Sequence, residues 1–331
     1  MTTPLKIRSC DIHGFNYQPS YSACAFETWR RFDADAFNRE LGLGKKHFPK
    51  MNAVRLWLSW NAWCANPTTF VDAFSRALDI CEKYGLMVVP VLYNRWHDSK
   101  IDCDGIYIDH FLPGASWLQK YGLPGREFTV DIAKNFGKDE RILAWDLCNE
   151  PFAYTDARIK ELVLEHEINW LKTVNGDLHD NGITQPVGVG TWNKDWDPIV
   201  NDFVDCFMTH MYLWIPADKG INTIEQNAID YFGEKLQMVL DYADSVGKPF
   251  FTTETCWGSF DDAFRAQLLE ATISQCVKKK VGFFAYALYE SDFTDIHRPS
   301  LGRLSPDIGH LEFIRKDGTL RPGHDVINKY M

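Results

Sequence analysis

The sequence predicts an α/β protein built as a single (β/α)8 TIM barrel over residues 1–331. Short apolar runs rich in β-forming residues recur along the chain and alternate with segments of helical periodicity, which is typical of repeated βα units. The runs are apolar at nearly every position, as expected of parallel strands that are buried on both faces. No linker rich in Pro, Gly or Ser divides the chain, so one large domain is expected.

Eight apolar runs are expected to form the strands of the barrel. They cover residues 10–17, 52–58, 86–93, 142–148, 186–191, 204–212, 249–255 and 281–289. Apolar residues at helical spacing predict helices between them, most clearly over residues 70–84, 159–170 and 264–276. Asn66 and Pro67 form a credible N-cap and first turn for the first of these helices. The segment after the fifth run shows no clear helical stripe.

Two long irregular segments follow the third and the eighth predicted strands, at residues 94–122 and at about 290–311. Loops of this length inside compact domains are usually functional or disordered. The first segment carries Trp96, Tyr107, Phe111 and Trp117. We expect both loops to lie at the carboxyl end of the barrel, where the first should help to wall a binding cleft.

The composition restricts the class of partner and compartment. The net charge is −10 and the pI is near 5.5, and phosphate backbones are bound by clustered Lys and Arg, so a nucleic-acid partner is not expected. The N-terminus lacks the apolar core of a secretory signal, and no stretch approaches the roughly 20 apolar residues of a membrane span. Nine cysteines without paired spacing indicate reduced thiols. We therefore predict a cytoplasmic protein with no membrane partner.

Two acidic residues stand at the ends of predicted strands. Glu150 follows the fourth strand in AWDLCNEP, and Glu254 lies at the end of the seventh in FFTTETCWG. The carboxyl ends of barrel strands meet on one face, so these two residues are expected to come together there. A pair of carboxyl groups is what glycoside cleavage requires, because one protonates the leaving oxygen and the other attacks or activates water.

These motifs resemble the clan of retaining (β/α)8 glycosidases, and most closely the cellulase and mannanase family numbered five. In that clan the acid/base Glu follows an Asn at the end of strand four, and the nucleophile Glu ends strand seven. The resemblance therefore implies that Glu150, preceded by Asn149, is the acid/base and that Glu254 is the nucleophile. It also implies that the Asn149 amide holds the sugar 2-hydroxyl.

The resemblance implies further residues around the carboxyl pair. An Arg on strand two near the nucleophile is matched by Arg55 in NAVRLWL, and a His-x-Tyr on strand six by His210 and Tyr212, with Tyr212 contacting the nucleophile. The sequence departs from the family on strand eight, where Tyr286 stands in place of the usual Trp platform, although a Tyr can still stack on a sugar. The remaining candidates for substrate binding or support are Asn16, Trp96, His97 and Trp257.

The predicted function is a retaining β-glycosidase that acts on β-linked oligosaccharides or on small glucosides, mannosides or galactosides. A cytoplasmic location favours exo action on short substrates, and no metal or organic cofactor is required. One alternative is a metal-dependent sugar isomerase or epimerase, which also gathers Glu, Asp and His at barrel strand ends. Another is a catalytically inactive sugar-binding barrel. The Glu165-His166-Glu167 run is not predicted to bind a metal, because neighbouring residues of a helix point apart.

Overall fold

The computed structural model describes residues 3–95, 105–106, 110–111, 125–154, 157–213, 215, 223–292 and 308–331. Seven parallel strands form one sheet in the order β5-β4-β3-β2-β1-β7-β6. The strands are β1 His13–Asn16, β2 Ala53–Trp57, β3 Met87–Asn94, β4 Trp145–Asn149, β5 Val187–Gly190, β6 Phe251–Thr255 and β7 Gly282–Ala285.

The segment at residues 205–213 lies between β5 and β6 and closes the barrel. The Cys206 amide donates to the Val187 carbonyl, and the Phe207 amide donates to that of Pro249, next to a parallel bridge between Phe207 and Phe250. Further along, the Met211 amide donates to the Glu254 carbonyl at 3.0 Å. The predicted (β/α)8 barrel is therefore confirmed, with its sixth strand replaced by an irregular extended segment.

Threonine hydroxyls explain why this segment is not a regular strand. Thr253 Oγ1 donates to the Met208 carbonyl at 2.7 Å, and Thr255 Oγ1 donates to the Met211 carbonyl at 2.6 Å. Side chains of β6 thus take carbonyls that a regular ladder would pair with backbone amides. The prediction of a regular strand over residues 204–212 was wrong for that reason, although its place in the barrel was right.

Helices surround the sheet and follow the predicted stripes. Asn66 accepts the Thr69 amide at 3.1 Å, and Pro67 occupies the first turn, as the sequence predicts. After β5 the chain forms only short turns of helix, which agrees with the missing stripe there. The helices are α1 Ala25–Arg30, α2 Ala34–His47, α3 Trp60–Ala65, α4 Pro67–Lys83, α5 Arg126–Phe136, α6 Ala157–Asp180, α7 Asp197–Val200, α8 Gln226–Ser245 and α9 Asp262–Lys278. None of the helices among the described residues is long and apolar enough to cross a membrane.

Side chains inside the barrel change character along its axis, as β2 illustrates. Val54 and Leu56 belong to the large outer core between sheet and helices, whereas Ala53 lies in a small apolar cluster inside the barrel. Two residues further on is the buried Arg55, and two further again is Trp57, in an aromatic cluster at the carboxyl end. The period of two along a strand thus stacks an apolar, a charged and an aromatic layer inside the barrel.

Candidate active site

Arg55 is the centre of the charged layer. It is fully buried, and each of its five N–H groups has an acceptor. The Nε and one Nη2 bond go to Asp146 at 3.1 and 2.8 Å, and the other Nη2 bond goes to Asn149 at 2.7 Å. Nη1 donates to Asn16 at 3.1 Å and to Glu254 at 2.5 Å. Burial alone would lower the pKa of Arg55, but the two carboxylates outweigh it and raise that pKa above its usual value.

Asp146 is a site residue that the sequence analysis missed. It is fully buried at the second position of β4, where it pairs with Arg55 and accepts the Gly190 amide at 2.9 Å. A signal was present, because an acid inside an apolar strand needs a cationic partner, and the Arg inside the apolar run of β2 needs an anionic one. Reading the two together would have predicted this ion pair.

Glu254 is held at both carboxylate oxygens. Oε1 accepts from Arg55, and Oε2 accepts the Tyr212 hydroxyl at 2.9 Å. His210 Nδ1 lies 3.5 Å from Oε2. The carboxylate therefore has a single orientation, with a cation on one side and a neutral hydroxyl donor on the other.

Glu150 is oriented by its backbone and by His210. Its φ of 48° is in the left-handed region, which is unusual for a residue other than glycine and marks a strained position at the end of β4. Its side chain meets His210 Nδ1 at 2.7 Å. Burial lowers the pKa of His210 to about 4, so the imidazole is neutral near pH 7 and carries one proton. With two carboxylates facing Nδ1, that proton belongs on Nδ1 and is donated to Glu150.

The two glutamates face each other across a short gap. One oxygen of Glu150, one oxygen of Glu254 and a nitrogen of His210 all lie within 4.8 Å of one another. Such a group could also ligate a divalent cation, which the isomerase alternative needs. The Arg55 guanidinium already occupies Glu254, and its positive charge opposes a second cation at that carboxylate.

The comparison with protein families agrees with this geometry. The model for Cellulase (glycosyl hydrolase family 5) matches residues 21–292. The chain belongs to glycosyl hydrolase family 5. It is accordingly a retaining glycoside hydrolase, as the resemblance in sequence implied.

Solved structures share the fold at low sequence identity. An exo-β-1,4-mannosidase from Opitutaceae bacterium strain TAV5 has a TM-score of 0.69 at 15% identity, and the match covers 96% of this chain but only 58% of that longer one. A GH5_18 protein from Streptomyces cattleya in complex with GlcNAc has a TM-score of 0.70 at 15% identity, covering 96% and 80%. A family 5 lichenase from Caldicellulosiruptor sp. F32 has a TM-score of 0.66 at 15% identity, covering 99% and 97%. Among curated proteins, no sequence matches significantly.

Aromatic side chains form the outer layer of this family 5 site. Tyr286 lies at the site and meets Trp57 edge to face, with 6.2 Å between ring centroids. Trp257 meets Tyr212 in the same way at 5.1 Å, and its indole nitrogen is buried without a partner among the described residues. Trp57 was not among the predicted residues. Its ring covers the Arg55 guanidinium at 4.7 Å, a cation–π contact that sequence spacing does not reveal.

The other predicted residues divide into two groups. Asn16 and Asn149 are buried, and both accept from Arg55, while the Asn149 amide nitrogen donates to Asn94 at 3.0 Å. Asn16 also donates to backbone carbonyls of β6 and β7, so it joins strands inside the barrel. Trp96 and His97 lie outside the described residues, as do most of the two long loops.

Gly190 leaves room for the charged layer. A Cβ at this position would lie 2.8 Å from Asp146 Oδ2 and 2.9 Å from both Arg55 Nη2 and His210 Nε2. We expect Gly190→Ala to displace these groups and to lower kcat/KM by about 100-fold, the cost of a misplaced site. The control is Gly188→Ala on the same strand, where the added Cβ meets only the flexible Met208 side chain. Equal activity losses in the two variants would contradict this prediction.

Asp197 makes the stability of the fold dependent on pH. It is buried between the hydroxyls of Thr191 and Thr209, and burial raises its pKa from 3.8 to about 7. A raised pKa in the folded state means that this residue favours folding below its unfolded pKa and that the contribution is lost as pH rises through 7. We expect Asp197→Asn to flatten the decline in the free energy of unfolding between about pH 4 and about pH 7, a decline of up to about 4 kcal/mol.

Urea unfolding at a series of pH values measures this effect. The control is Asp195→Asn, because Asp195 is an exposed neighbour that pairs with Lys194. An unchanged slope in Asp197→Asn, or an equal change in Asp195→Asn, would show that another group is responsible.

Proposed function

We propose that this enzyme cleaves β-glycosidic bonds by double displacement, with Glu254 as nucleophile and Glu150 as acid/base. The observation that carries the proposal is the separation of the two carboxyl groups, which have oxygens within 4.8 Å of each other. Retaining glycosidases place these groups about 5–5.5 Å apart, whereas inverting enzymes need about 6.5–9.5 Å to admit a water molecule.

The surroundings of Glu254 suit a nucleophile. Arg55 donates to one oxygen of the Glu254 carboxylate, and the Tyr212 hydroxyl donates to the other. One oxygen attacks the anomeric carbon as the bond to the leaving oxygen breaks, and the resulting ester is a covalent glycosyl enzyme. Arg55 is fully buried and the Tyr212 ring packs against Trp257, so little reorganisation accompanies the attack.

The surroundings of Glu150 suit a group that gains and loses a proton. In the first step the protonated carboxyl gives its proton to the leaving oxygen. In the second step the carboxylate takes a proton from water, which attacks the anomeric carbon and releases Glu254. The neutral His210 donates one hydrogen bond to Glu150 and adds no charge of its own, so it orients the carboxyl in both forms.

The substrates we propose are short β-linked oligosaccharides or small β-glycosides, cleaved from one chain end, with β-mannosides as the first to test. Supporting this choice are the exo-β-1,4-mannosidase and two GH5_18 proteins in complex with Manβ1-4GlcNAc, from Streptomyces cattleya and Bifidobacterium longum, which share the fold. Glucosides and galactosides come next. Exo action would require the cleft to be closed at one end, and the segments after β3 and β7 have the length to do so.

Aryl β-mannoside, β-glucoside and β-galactoside test the proposal, with Glu150→Gln assayed beside the wild type. We expect one sugar to be cleaved and the first product, observed by NMR, to be the β-anomer. An α-anomer as first product would overturn the double displacement. Full activity of Glu150→Gln on a phenyl glycoside would overturn its role as acid. Loss of cleavage in a chelator would contradict a reaction that needs no metal, and sugar binding without cleavage would favour the inactive barrel.

A further inference from the structure

Glu167 is a buried carboxylate outside the catalytic pair, in the run that was not predicted to bind a metal. It lies on α6 and is fully buried. Its Oε1 accepts the Phe152 amide at 3.3 Å, and its Oε2 accepts the Tyr154 hydroxyl. Burial, and then the Glu167 carboxylate, raise the pKa of Tyr154, so this hydroxyl stays protonated and donates. Glu167 therefore holds the turn that directly follows Glu150.

Arg95 completes a closed set of contacts around Glu150. Its Nε lies 3.0 Å from Glu167 Oε1, and its backbone amide donates to the Asn149 carbonyl at 3.0 Å. The residue before Glu150 is thus tied to Arg95, Arg95 is tied to Glu167, and Glu167 is tied to Phe152. Both charged side chains are buried, so loss of either one removes the ion-pair partner of the other in a poorly solvated site.

The turn enclosed by these contacts has a strained backbone. Glu150 has a φ of 48° and Phe152 a φ of 67°, with Pro151 between them. Left-handed backbone at residues other than glycine persists only where the surroundings hold it. The Glu167 contacts to Phe152, Tyr154 and Arg95 are contacts of that kind.

We infer that Glu167 is a positioning residue for the acid/base: it holds the strained turn that aims the Glu150 carboxyl at the leaving oxygen. The inference rests on the proposed function of Glu150. Glu167 does not reach the reacting atoms and acts through the backbone of residues 149–154. Its loss should therefore weaken proton donation more than nucleophilic attack, because Glu254 is held separately by Arg55 and Tyr212.

Leaving-group dependence separates these two effects. A dinitrophenyl group departs without a proton, whereas a phenyl group needs one, and kcat/KM reports the first chemical step. For Glu167→Gln we expect kcat/KM to fall about 10- to 100-fold on the phenyl glycoside but by no more than about threefold on the dinitrophenyl glycoside. The loss on the phenyl glycoside is smaller than the whole contribution of general acid catalysis, because Glu150 itself is still present.

Glu40 provides a matched control. It is also fully buried on a helix, accepts a Tyr hydroxyl and a backbone amide, and pairs with an Arg, but it holds the loop after β1. Glu40→Gln should change both substrates by the same factor. Equal losses on both substrates in Glu167→Gln, or the same leaving-group dependence in Glu40→Gln, would overturn the inference.

A milder variant tests the inference if Glu167→Gln does not fold. Tyr154→Phe removes one contact of Glu167 and keeps the ion pair, so it should show a smaller loss that is again confined to the phenyl glycoside. An even loss on both substrates contradicts the inference. If the wild type cleaves neither glycoside, the proposed function fails and takes this inference with it. If the wild type cleaves both and the loss is even, only the inference fails.

Discussion

In Glu254→Gln, kcat/KM on the preferred aryl glycoside is expected to fall at least about a thousandfold, because an amide cannot form the glycosyl ester. The fold should persist. Gln has the same shape, its oxygen can still accept from Arg55, and its amide can donate to the Tyr212 hydroxyl. Steady-state kinetics and urea unfolding, measured on the same preparation, separate the chemical defect from any loss of stability.

Azide distinguishes a nucleophile from an acid/base. In Glu254→Ala, azide can enter the vacated space and attack once, so the glycosyl azide should have the inverted, α configuration. In Glu150→Ala, azide should intercept the glycosyl enzyme after a first displacement and give the β configuration. The opposite pair of products would exchange the two assignments. Glu40→Ala, at a buried carboxylate that accepts from Tyr17 and Ser20, should give no glycosyl azide.

Arg55→Met is expected to reduce both stability and activity. The change leaves Asp146 and Glu254 without their shared cation, and breaking a buried pair in this way costs about 3–5 kcal/mol. Any molecules that remain folded should be nearly inactive, because the nucleophile has lost one of its two donors. Urea unfolding measures the first effect, and kcat/KM at a temperature where the variant is folded measures the second.

A second buried arginine serves as the control for Arg55. Arg321 pairs with Glu312 and Asp262 away from the two catalytic candidates, so Arg321→Met should lose stability while its folded fraction stays active. Arg55→Lys should keep the positive charge but cannot donate the five hydrogen bonds of the guanidinium. We expect it to fold better than Arg55→Met without recovering full activity. Full activity in Arg55→Met would remove Arg55 from the site.

The carboxyl pair could be predicted from the sequence because each member lies at a strand end. Glu150 and Glu254 are 104 residues apart, yet strand order and the parallel barrel bring their strand ends to one face. Arg55 and Tyr212 could be placed by the same rule together with the family resemblance. The helices α4, α6 and α9 followed from their apolar stripes, since helical periodicity is a local property.

The sequence alone determined the class of fold, the order of its strands and the strand ends that carry the candidate catalytic residues. The spacing of apolar residues and the short motifs depend only on residues that are close together in the sequence. Only the tertiary structure decided which groups share Arg55, that Asp146 belongs to that set, and that Glu167 reaches the turn after Glu150. Only the tertiary structure showed that the predicted sixth strand is an irregular segment whose carbonyls accept from threonine hydroxyls. These contacts join residues from different strands and helices, and the energy of a buried charge depends on partners that no local pattern specifies.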